Sequence, residues 1–144
     1  MTGARLLAAA LGFMLLATAA RAQEGAFVEH RLALQLSDGT PEKEALVLSV
    51  ANNVLKQFGP DKVAVEVVAF GPGIDLLRAG NANAVRVDSL AAQGVRFAAC
   101  AITIETIERE SGKPFPLSLR AHTVPAGVPE LMLLAEHGYT LVRP

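Results

Sequence analysis

The chain has 144 residues, with 13 basic and 14 acidic side chains, 51% apolar content and one cysteine. One domain's worth of sequence, dense in Val, Ile and Leu, excludes intrinsic disorder, and a lone cysteine excludes an intrachain disulfide framework. There is no cationic surplus to neutralise phosphates, so the sequence gives no basis for a nucleic-acid partner.

Residues 1–22 read as a cleaved export signal. Arg5 gives a positive start, Leu6 to Ala20 is a largely apolar run, and Ala20-Arg21-Ala22 offers small residues for cleavage. The run is about 15 residues, short of the roughly 20 that a spanning helix needs. Losing Arg5 and Arg21 leaves 11 basic against 14 acidic side chains, a net charge of −3. No later stretch is long and apolar enough to cross a bilayer. The mature chain is therefore expected outside the cytoplasm with no membrane attachment, in the periplasm if the source has two membranes.

Residues 23–29 read as a flexible N-terminal segment, and 30–144 as the folded domain. His30 to Ser37 alternates as a strand does, and Asp38-Gly39 stops it. Thr40-Pro41-Glu42 starts a helix with a hydroxyl cap, proline in the first turn and an acid near the positive helix end. That helix is expected to reach Phe58. Val63 to Phe70 is nearly continuous β-branched and apolar sequence, the pattern of a strand covered on both faces. Gly71-Pro72-Gly73 breaks it, and one or two helical turns follow over Ile74 to Arg78. Leu76 stands where a dinucleotide fingerprint needs its third glycine, and no lysine follows as in a P-loop, so this is a tight turn rather than a phosphate loop.

A helix over Arg86 to Gln93, a strand over Val95 to Cys100 and a helix over Thr103 to Ser111 come next. Leu117 to Val124 reads as a strand, Val128 to His137 as a helix and Tyr139 to Val142 as a last strand. Strands alternating with helices at the spacing of a βαβ unit mean an α/β fold: a three-layer α/β/α sandwich on a mostly parallel sheet of about five strands.

Chemistry in such folds collects beyond the carboxyl ends of the strands. Cys100 falls there, just before a helix, where unpaired amides and the positive helix end favour thiolate over thiol. The thiolate is the form that attacks or carries sulfur. The alternative is a cysteine that only fills space, since Phe97-Ala98-Ala99 precede it. Among the three histidines, His122 is a candidate for proton transfer to Cys100 if their strands neighbour each other; its other reading is a polar residue lining the sheet. His30 reads as a surface residue and His137 as a helix-end residue. No metal-ligand spacing occurs, so neither a metal nor a cofactor is expected. Asn52 and Asn53 are poor residues for a helix interior and mark either a contact or a solvated face. A thiol hydrolase built on Cys100 and His122 lacks an orienting acid.

In this order the segments Val63 to Gly73 (VAVEVVAFGPG), Leu90, Gly94 to Cys100 (GVRFAAC) with Thr103, Val124 to Leu131 (VPAGVPEL), Gly138-Tyr139 and Arg143-Pro144 resemble the DsrE/DsrF-like sulfur-relay family, with the YchN-like fold. The likeness is to its exported, single-domain branch, and Asn52 and Asn53 sit where the family's first helix tends to carry them. Ala101-Ile102 replaces the more polar residues that commonly follow the cysteine. The resemblance implies an α/β/α domain assembling as a homo-oligomer, trimer or hexamer. It also implies a sulfur carrier or sulfurtransferase-like role, with Cys100 holding persulfide sulfur between a donor and an acceptor protein. The rival expectation is a non-catalytic oligomeric binding or assembly module with a packed cysteine.

Overall fold

The computed structural model describes residues 28–144. The expected export signal and most of the segment 23–29 lie outside the described residues. The first strand, β1 (His30–Leu36), is followed by helix α1 (Pro41–Phe58). Asp38 accepts the Thr40 amide at 3.0 Å and Thr40 caps the helix by accepting from the Lys43 amide at 3.4 Å. Val47, Leu48, Ala51 and Leu55 recur at helical spacing and bury one face of α1. Gly59, with φ of 88°, ends it.

Strand β2 (Val63–Ala69) leads through a 3₁₀ segment (Gly71–Leu77) to α2 (Ala84–Ala92), β3 (Arg96–Cys100) and α3 (Ala101–Ser111). The chain closes with β4 (Ala121–Val124), α4 (Gly127–Glu136) and β5 (Thr140–Val142). Two boundaries differ from expectation in ways that matter. Helix α3 begins directly after Cys100 rather than at Thr103. Strand β4 is confined to its last four residues, because Leu117 instead bridges Arg78 in the opposite direction.

All five strands are parallel, in the order β4-β3-β2-β1-β5. The chain steps from β1 to β4 in one direction and then returns to the far side of β1. A right-handed crossover that reverses direction must place its helix on the opposite face of the sheet. The core follows this rule. Leu34, Leu36, Val65, Val67, Phe97 and Ala99 face forward against α1 and α2, with Ile104 and Ile107 of α3 packed on them. Phe97, Leu34, Leu48 and Ile74 are all but fully buried, worth about 1.5–3 kcal/mol each.

The back face carries α4 alone. Leu131 and Leu134 pack on Ala33, Val68, Ala98 and Val124, flanked by Phe70 and Tyr139. The small side chains at 33 and 98 let one helix sit close. The result is a three-layer α/β/α sandwich with unequal layers.

Candidate functional site

Cys100 ends β3 and caps α3, with extended backbone at φ −67° and ψ 115°. Its neighbours at the carboxyl edge are Phe70-Gly71 after β2 and the Val124–Gly127 turn after β4. Only 5% of Cys100 is exposed. Burial pushes its thiol pKa up, but the Thr103 hydroxyl and the amides of Thr103, Gly127 and Ile102 outweigh it, and the net direction is down. Two of these amides belong to the first turn of α3 and one to the first residue of α4. Two helix N-termini thus converge on one sulfur, and each favours a negative charge. The Cys100 side chain makes no capping hydrogen bond with its own helix, so the donors act on it as a set.

Thr103 is held for this task. Its Oγ1 accepts the Gly71 amide at 3.0 Å, which leaves its own hydrogen free to turn toward Cys100. The backbone turn at Gly71 needs glycine, because φ is 54° there. Gly127 has a different reason to be glycine: a Cβ at that position would lie 2.6 Å from the Phe70 ring. Without that side chain, the first amide of α4 can approach the thiol.

His122 lies elsewhere on the back face. Strands β3 and β4 are neighbours, but their register pairs His122 with Ala98 and Val124 with Cys100. The imidazole Nε2 stands 3.3 Å from Glu66 Oε1 and 3.3 Å from an Arg96 guanidinium nitrogen. His122 is not among the groups that act on the Cys100 thiol.

Glu66 was not legible as a site residue. It sits in the middle of β2, is 1% exposed, and neither carboxylate oxygen has a well-directed hydrogen bond. Arg96 Nε is 3.6 Å from Oε2. Burial drives the carboxyl pKa up against the pull of Arg96 and His122, and Glu130 on α4 pushes it the same way as burial. The one available signal was a lone acid inside an otherwise apolar strand.

Asn52 and Asn53 line a groove of about 260 Å³ between α1 and α2, with Ser49, Arg86 and Ser89 at its rim. Arg86 is already engaged there by Ser49 Oγ at 3.1 Å and the Ala45 carbonyl at 3.3 Å. Among the described residues no three His, Cys, Asp or Glu side chains stand together as a metal site, and no helix is long and apolar enough to cross a membrane.

No known family model matches the chain, and no curated protein matches it. Among solved structures it is similar to MTH1491 from Methanobacterium thermoautotrophicum, a protein of unknown function. The two are 28% identical with a TM-score of 0.71, over 80% of this chain and 99% of that one. The likeness fits the small α/β fold and assigns no activity.

Proposed function

We propose that the protein is an exported sulfur carrier, sulfurtransferase-like in the sense of the DsrE/DsrF-like family, with Cys100 as the carrying thiol. The observation that carries this reading is the convergence of the Thr103 hydroxyl and three backbone amides on the chain's sole cysteine. The Cys100 thiolate attacks the outer sulfur of a donor persulfide. A bond forms to that sulfur, the donor S–S bond breaks, and the donor leaves as thiolate. An acceptor thiolate then attacks the same sulfur and Cys100 leaves in turn. Each step moves one sulfur atom between thiolates with no net oxidant, and the Thr103 and amide donors hold the charge whenever Cys100 is the leaving group. His122, engaged by Glu66 and Arg96, has no part in this scheme.

The carrier works as a homo-oligomer, the trimer or hexamer that the resemblance implies. Ile102 near the start of α3, and Val128 and Met132 one turn apart on α4, are each more than half exposed and supply apolar contact positions.

One observation favours the rival, a binding or assembly module, namely the near-complete burial of Cys100. Alkylation separates the two. The carrier reading expects iodoacetamide to modify Cys100 of the folded protein at neutral pH. A thiol that stays unmodified until the protein unfolds supports the packed module and sinks the carrier.

A further inference from the structure

Two carboxylates are buried among the described residues: Glu44, which accepts from the Asn81 and Asn83 side-chain amides, and Glu66 on the back face, which lacks such partners and which the proposed chemistry leaves unused. Glu66 projects from β2 beneath α4, in register with Ala33 of β1, against which Leu131 and Leu134 pack. Its facing groups come from every neighbouring element: Arg96 on β3, His122 on β4 and Glu130 on α4. Arg31 of β1 lies on the same face, exposed, two positions before Ala33. Arg96 and His122 meet the carboxylate at ion-pair distances of 3.6 and 3.3 Å, but neither gives it a well-directed hydrogen bond. A carboxylate that remains ionised there is short of partners, with a second acid on the helix above it.

We propose that Glu66 is a proton-binding site that controls how firmly α4 seats on the sheet. A protonated Glu66 lets α4 pack over it; an ionised Glu66, short of hydrogen-bond partners, works against α4. Opening the helix returns the carboxylate to water. Since Gly127 opens α4 and its amide is one of the groups on Cys100, loosening α4 also loosens the cover of the thiol. The seating itself is a property of the fold and does not rest on the sulfur-carrier reading.

The sign follows from linkage. The folded state keeps the Glu66 proton above the ordinary value of 4.5, while the state with α4 open loses it. Stability of the seated helix therefore falls as pH rises from that value through the folded one, and the whole cost is present above both.

Hydrogen–deuterium exchange tests this. Protection of the α4 amides is corrected for intrinsic exchange and referenced to α1 in the same molecule. In the wild-type chain α4 protection is expected to fall on going from pH 5 to pH 8, by up to about tenfold per pH unit within the linkage window. Glu66→Gln is expected to abolish the fall, and Glu130→Gln, at a more exposed position, to reduce it. Cys100→Ser is expected to leave it in place, which separates this effect from thiol ionisation and from any sulfur chemistry. A wild-type α4 with no fall, or the same fall in Glu66→Gln, overturns the proposal. If Glu66→Gln does not fold, an undiminished fall in Glu130→Gln overturns it.

Discussion

Replacing Thr103 with valine keeps the volume of the side chain and removes its hydroxyl, which sits between the Gly71 amide and the Cys100 thiol. Hydrogen bonds to charged groups contribute about 1.5–3 kcal/mol. We take the lower end, because the Cys100 side chain makes no capping hydrogen bond with its own helix. About 1.5 kcal/mol corresponds to a roughly tenfold smaller thiolate-to-thiol ratio at a pH below the midpoint of titration. The remaining thiolate is more basic and hence more nucleophilic. With a Brønsted slope of about 0.4–0.5, the rate of exchange with a small disulfide should fall only about fourfold. The thiolate titration, followed by ultraviolet absorbance, should move upward in Thr103→Val, whereas Thr103→Ser should stay close to wild type. Leaving the half-buried Gly71 amide without its acceptor should also cost about 1 kcal/mol in chemical denaturation. An unmoved titration in Thr103→Val, with the protein folded, would refute the assignment of Thr103 as the group that holds the anion.

Gly127→Ala places a methyl group against the Phe70 ring and should destabilise the fold by about 1–3 kcal/mol, read by the denaturation midpoint, and slow disulfide exchange at Cys100 because the α4 amide is pushed away. Unchanged exchange would remove Gly127 from the site. Ile102→Lys and Met132→Lys replace exposed apolar side chains and should shift the mass measured by light scattering from oligomer to monomer, with a circular dichroism spectrum like that of the wild type. An unaltered mass would place the contact elsewhere.

Much of the fold was legible because local signals and tertiary demands agree. Thr40-Pro41 starts α1 as its chemistry requires, and β2 falls within one residue of its hydrophobic run. Agreement fails where tertiary contacts decide. The start of α3 moves onto Cys100 because Ala101 and Ile102 are compatible with a helix and carry no stop signal, so the cysteine becomes the cap itself. Strand β4 loses its first half to the bridge between Arg78 and Leu117. The neighbouring of β3 and β4 was anticipated as a condition for a Cys100–His122 pair, but register is a property of pairing, and it sets His122 beside Ala98. Glu66 escaped notice for a similar reason. Periodicity marks β2 as buried on both faces, but only strand order and the single-helix cover of the back face reveal that Arg96 and His122 meet it there.

Intact-mass spectrometry tests the central claim most directly. The protein is incubated with polysulfide, desalted and weighed, then exposed to an acceptor thiol and weighed again. Sulfur carriage requires a gain of whole sulfur masses on the wild-type chain, loss of that gain to the acceptor, and no gain in Cys100→Ser. An identical adduct in Cys100→Ser, or a folded wild-type protein that takes up no sulfur, contradicts it.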